Sequence, residues 1–167
     1  QINKNIIFDL NLHHRNIKSL ITKYHYKNNI CVCGTSSHKV YKIRDSLNKI
    51  NVLILNKQES LNLTNKKSIK EALQNLIELN KNLIIIITNG KNTIYAYHHN
   101  MIYSCKPLKV KIDNENGAGD VMSALFNYYL LKLKKFNEVL AKSVVAGGLQ
   151  VSGYQSEKKT YLQKIDH

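Results

Sequence analysis

Apolar residues in the first half of the chain come in short runs separated by amphipathic stretches. Residues 6–10 read as a strand, 30–33 as another and "NVLIL" (51–55) as a third. The run "NLIIIIT" (82–88) is continuous and β-branched, which suits a parallel strand buried on both faces. Between these runs the spacing turns helical. Residues 16–24 predict one helix, Val40, Ile43, Leu47 and Ile50 a second, and Ile69, Leu73, Leu76 and Ile77 a third with Lys and Asn on its other face. Beyond residue 88 the rhythm changes. "TIYAY" and "MIYSC" flank "HHN" and predict an antiparallel hairpin; helices follow over about 118–133 and 137–151, with a last one near 157–165.

Repeated strand–helix alternation with a late hairpin predicts an α/β fold, a three-layer sandwich around a mostly parallel sheet. Lys-containing polar clusters at 65–67, 80–82 and 155–159 read as loops or solvated helix faces. No repeat, low-complexity segment or linker interrupts the pattern, so the chain reads as one structural unit. Its 167 residues suffice for one domain or for a large piece of a bigger one. It opens on Gln1 and at once on "NIIFDLNL", which has the look of a core strand. The expectation is therefore the later part of a longer polypeptide.

Composition changes this picture little. Lys and Arg number 25 against 11 Asp and Glu, a formal charge of +14 that would suit nucleic acid or an anionic substrate. The lysines, however, are scattered among Asn and Ile, and Arg occurs only at positions 15 and 44. Such a bias is what an AT-rich genome writes onto solvent-facing positions, and no RNA-binding motif accompanies it. Cys31, Cys33 and Cys105 form no CxxC pair and no disulfide framework, which favours a reducing compartment. Cys31 and Cys33 share one face of a strand and read as core thiols. With no signal peptide and no apolar run of spanning length, the expectation is a cytoplasmic protein without membrane contact. The pairs His13-His14 and His98-His99 lack zinc-ligand spacing and fall in predicted loop or hairpin positions. Tyr128 and Tyr129 read as core packing rather than base stacking.

Chemistry concentrates in "NENGAGD" (114–120). Gly117 and Gly119 permit unusual dihedrals and close approach of a ligand, and Ala118 keeps the middle position small. The helix that starts here offers unsatisfied N–H groups and a positive dipole end. An acid at Asp120 makes sense beside an anion if it takes a proton from a hydroxyl attacking a phosphoryl group. The other reading is a plain helix start with Asp120 as dipole partner. A Walker A loop is excluded because no Gly-Lys-Ser/Thr follows. A dinucleotide fingerprint is excluded because Met122 stands where its third Gly belongs.

A second stretch, "LNKQES" (55–60), follows the buried run directly, where α/β sheets bind ligands. Asn56 and Glu59 could share one face of a helical first turn and hold the water shell of Mg²⁺. Asn followed three residues later by Glu is equally a capping box.

Together these motifs resemble the C-terminal part of a ribokinase-like (PfkB) carbohydrate kinase. That family has Asn-x-x-Glu after one core strand, a "TLGxxG" turn after the next, a hairpin, and "DTTGAGD" opening a helix. Here these read "NKQE", "TNGKNT" (88–93), the hairpin and "NENGAGD", across essentially the whole chain. The resemblance implies ATP and Mg²⁺ as cofactors and a small sugar or nucleoside as acceptor, with no nucleic-acid partner. It implies Asp120 as catalytic base and the backbone of Gly117, Ala118 and Gly119 as the anion hole. Asn56 and Glu59 match the pair that organises Mg²⁺, Glu59 through water, and the phosphates of ATP. Thr88 and Gly90 match the turn bordering the nucleotide. The segment Ala146 to Leu149, with Gly147, resembles the adenine-side helix.

Within the family the pseudouridine kinase branch is most similar, on Asn114 and on "DVMSALF" (120–126). In some lineages that kinase is fused to a pseudouridine-5′-phosphate glycosidase, which makes such a domain a candidate partner. There are departures. The segment around Cys33 and Gly34 lacks the family's acid and Pro, Thr93 replaces the second Gly of "TLGxxG", and Asn116 stands where Thr is usual, though both can hydrogen-bond the nucleotide. The family's N-terminal half is not in the sequence. A degenerate nucleotide-binding homologue, or a half-domain needing a partner polypeptide, is the rival expectation.

Overall fold

Each continuous apolar run becomes a strand. In the computed structural model, which describes residues 4–111 and 116–152, β1 (Lys4–Asp9), β2 (Asn28–Cys33), β3 (Val52–Asn56) and β4 (Ile84–Thr88) are parallel. β5 (Ile94–His98) lies antiparallel to β4, with Ile86 opposite Ala96, and β6 (Met101–Cys105) completes a six-stranded sheet in sequential order. The hairpin loop is the two residues His99 and Asn100, both at positive φ (48° and 61°). That is the type I′ geometry whose twist matches the strands it joins.

Helices connect the parallel strands: α1 (His14–Tyr24), a 3₁₀ helix (Val40–Lys49), α2 (Lys57–Thr64) and α3 (Ile69–Leu79). Their apolar stripes meet alternate strand residues. Ile17 and Ile21, Ile43 and Leu47, Leu63, and Leu73 and Leu76 form one buried cluster with Ile30, Val32, Leu53, Leu55, Ile85 and Ile87. Full burial of each such side chain stabilises the fold by about 1.5–3 kcal/mol.

Three local differences from the predicted pattern have physical causes. Val40, Ile43 and Ser46 are buried three residues apart, a repeat that one edge of a 3₁₀ helix satisfies better than an α-helix. His14 is already helical, because the His13 side chain accepts a hydrogen bond from the Arg15 N–H at 3.4 Å. The polar stretch before α3 holds the separate helix α2, closed by Asn65 at φ 55°. The next helix begins in a capping box in which Ser68 and Glu71 bond each other's backbone N–H at 3.2 and 3.0 Å.

The chain divides into two compact units, one holding the sheet with α1 to α3, the other holding α4 (Ala118–Lys132) and α5 (Phe136–Val151). In the second unit Phe126 meets Phe136 edge-on at 5.9 Å between centroids, and Met122, Tyr129, Val139 and Val144 are buried as well. Tyr129 is buried as expected, whereas Tyr128 is exposed on α4. Cys31 is buried and Cys33 half-buried. Among the described residues no helix is long and apolar enough to cross a membrane. Asn114, the cluster 155–159 and the helix expected near 157–165 lie outside the described residues.

Candidate functional site

The carboxyl ends of β3 and β4 are level, because their register sets Asn56 directly beside Thr88. At Asn56 the chain leaves the sheet and turns at once into α2. The Asn56 side-chain oxygen accepts the Glu59 N–H at 2.9 Å, and Glu59 Oε2 accepts the Asn56 N–H at 2.8 Å. The capping box is thus fully formed. Unlike an ordinary cap partner, Glu59 is only 3% exposed. Loss of hydration raises the Glu59 pKa above the usual carboxyl value, and the hydrogen bond from the Asn56 N–H opposes that rise in part.

Against the same carboxylate stands Gly34, the residue after β2, whose N–H donates to Ile54 O at 2.8 Å. A Cβ at position 34 would lie 2.6 Å from the Glu59 carboxyl carbon and 3.0 Å from Leu55 Cδ2. Thr88 is half-buried at the end of β4, its hydroxyl 3.5 Å from Leu55 O. Gly90 follows at φ 55° in an open turn, a conformation that favours glycine. Asn56, Glu59, Thr88 and Gly90 are therefore gathered at one end of the sheet. Gly34 is the member that motif spacing missed, since its place depends on the pairing of β2 with β3.

A raised carboxyl pKa has a consequence for stability. The folded chain holds the Glu59 proton more tightly than the unfolded chain does. Stability contributed by this group therefore falls as pH rises from the usual carboxyl value through the raised one. Glu59→Gln is expected to flatten that decline. Urea unfolding of the ligand-free protein between about pH 4 and 7 checks it; a stability difference from the unmutated protein that is constant with pH would refute it.

The other predicted residues belong to the second unit. Gly117 caps α4 at φ 78°, and no side chain caps the helix. The first intrahelical bond runs from the Val121 N–H to Gly117 O at 2.9 Å. The N–H groups of Ala118, Gly119 and Asp120 precede it, so they have no partner within the helix. A Cβ at Gly119 would meet no described atom within 4 Å, and the residue is exposed. Asp120 is exposed in the same turn, and Asn116 is exposed just before it. Gly147 of α5 is buried. A Cβ there would lie 3.2 Å from Ala118 O and from Met122 Cβ, so glycine lets α5 close onto the first turn of α4. Gly147 supports the helix start that carries the GAGD residues.

Among the described residues no three or more His, Cys, Asp or Glu side chains gather as a metal cage. Mg²⁺ needs none, since it binds through one or two carboxylates and completes its shell with phosphate and water oxygens. The Glu59 carboxylate and the Asn56 amide oxygen, each held by the capping box, are hard oxygen donors of the kind that would hold the water shell of this ion. A cation opposite Glu59 would also favour the ionised form that burial disfavours.

A family model described as pfkB family carbohydrate kinase matches residues 3–160. The chain belongs to that family. Among solved structures, phosphofructokinase-2 from Escherichia coli, in complex with substrates and products, matches with a TM-score of 0.82 at 19% identity, over 98% of this chain and 57% of that one. Adenosine kinase from Anopheles gambiae matches with 0.80 at 14% identity, over 95% and 52%. A carbohydrate kinase from Agrobacterium tumefaciens matches with 0.76 at 18% identity, over 99% and 55%. The shared property at such identities is the fold, a ribokinase-like α/β fold with a six-stranded, mostly parallel sheet. The chain spans about half the length of these solved relatives. A search of curated proteins gives no match.

Proposed function

We propose that this PfkB-family chain carries the phosphoryl-transfer residues of an ATP- and Mg²⁺-dependent kinase acting on a sugar or nucleoside hydroxyl, with the 5′-hydroxyl of pseudouridine as acceptor. One observation supports it most: the uncapped first turn of α4 behind Gly117, with Asp120 in the same turn. The acceptor hydroxyl gives its proton to the Asp120 carboxylate as its oxygen attacks the γ-phosphorus of ATP. The bond from γ-phosphorus to the bridging oxygen breaks, and ADP leaves. The backbone of Gly117, Ala118 and Gly119 holds the equatorial oxygens of the transferring group, where charge builds up. Asn56 and Glu59 organise the cation and the phosphates, Thr88 and Gly90 border the nucleotide, Asn116 hydrogen-bonds it, and the helix around Gly147 serves the adenine side. Mg²⁺ bound with ATP would neutralise charge on the β- and γ-phosphates. Pseudouridine is preferred on Asn114 and the "DVMSALF" helix start, and adenosine kinase among the solved relatives agrees with a nucleoside acceptor. The proposed setting is the cytoplasm.

A second reading draws on the span of the chain, about half that of the solved relatives. In it the chain binds nucleotide as a half-domain and acts only with another polypeptide. ADP release from Mg·ATP, measured on the longest native form with pseudouridine, uridine, adenosine, ribose and fructose in turn, separates the two. Turnover with one acceptor is expected, pseudouridine first. ATP binding without turnover on any acceptor would favour the half-domain reading.

A further inference from the structure

We propose that Gly34 is a positioning residue, one that reserves the space in which the Glu59 carboxylate is held toward Mg²⁺ and phosphate. The role toward the ion rests on the kinase reading above. Glycine at this place has no conformational reason, because its φ is not among the positive values, which among the described glycines occur at Gly90 and Gly117. The reason is occupied space. Pairing of Cys33 with Ile54 and the 2.8 Å bond from the Gly34 N–H to Ile54 O fix the backbone at the end of β2. From there a Cβ would overlap Glu59 Oε2 and sit 2.6 Å from its carboxyl carbon, with Leu55 Cδ2 at 3.0 Å closing another side.

The carboxylate cannot yield to such a Cβ without loss. Its Oε2 is the acceptor for the Asn56 N–H at 2.8 Å, and the residue is 3% exposed. Any side chain at 34 therefore breaks the reciprocal cap or displaces the carboxyl group, and either result would move the oxygens proposed to serve the cation.

The test is a double-mutant cycle in the full-length protein with Gly34→Ala and Glu59→Ala, alone and combined. Two quantities are read: the thermal midpoint without ligand, and ATP binding by calorimetry with and without Mg²⁺. Gly34→Ala is expected to lower the midpoint and to weaken the Mg²⁺-dependent part of ATP binding by about tenfold or more, the usual loss when a residue orienting a metal ligand is changed. Binding without Mg²⁺ should be unchanged. In the Glu59→Ala background, alanine at 34 should alter neither quantity, because no carboxylate remains to displace. Unchanged Mg²⁺-dependent binding in Gly34→Ala, or equal losses in both backgrounds, would overturn the proposal. If Gly34→Ala is insoluble, the double variant should recover solubility, and failure to do so would also overturn it. Absence of Mg²⁺-dependent ATP binding in the unmutated protein would refute the kinase reading and the role toward the ion. The thermal cycle would still report whether residue 34 holds the carboxylate.

Discussion

Asp120→Asn is expected to lower kcat by about 100- to 10,000-fold, the range that a positioned general base contributes, while Mg·ATP binding survives. Asparagine keeps the size and shape of the side chain and removes only its ability to take the proton. Asp120 is exposed in the first turn of α4, so the fold loses no packing with the change. What is lost structurally is a negative charge at a helix N-terminus, about 0.3–1 kcal/mol. Binding of a polyphosphate should not suffer from removal of a like charge beside it. Steady-state kinetics and calorimetry on one preparation check both halves. Turnover within about twofold of the unmutated enzyme, too little for a lost base, would take Asp120 out of the chemistry. Loss of ATP binding together with turnover would mark it as structural.

Leu53→Ala is expected to destabilise the protein by about 2–5 kcal/mol. Leu53 is fully buried on β3, between β2 and β4, in the cluster that joins α1, the 3₁₀ helix, α2 and α3 to the sheet. The interior relaxes only partly around the missing methyl groups, so the loss includes both transfer and cavity contributions. Against a typical total of about 5–15 kcal/mol, this is a large fraction. Urea unfolding should show a lower midpoint with an unchanged slope. A change below about 1 kcal/mol, ordinary for a surface site, would contradict the burial of Leu53. β3 also delivers Asn56 and Glu59, so partial unfolding at working temperature should reduce activity without altering the acceptor preference.

Much of the candidate site was legible because its signals are local. A capping box needs only Asn56 and Glu59 three residues apart, and a helix start after Gly117 needs only small residues followed by an apolar stretch. The hairpin was legible from two alternating β-rich runs around a short loop. Less legible was the choice between meanings for one signal. Asn-x-x-Glu is read equally as a cap or as a pair that organises a cation; burial of Glu59 to 3% exposure is what gives this cap an unusual acid. Likewise Gly147 reads in sequence as an adenine-side residue, and its closeness to Ala118 O is visible only when α5 lies on α4.

The amino-acid sequence by itself determined the alternation of parallel strands and helices, the buried β-branched strands, the late hairpin, the Asn56–Glu59 cap signal and the GAGD helix start, because each follows from residues close to one another along the chain. Tertiary structure alone decided that Val40–Lys49 winds as a 3₁₀ helix, that Asn56 lies beside Thr88, and that Gly34 faces the Glu59 carboxylate. The first follows from which residues of that helix are buried, and the last two depend on which strands pair and in what register. Register is set by the burial of whole faces, not by the spacing of any few residues along the chain.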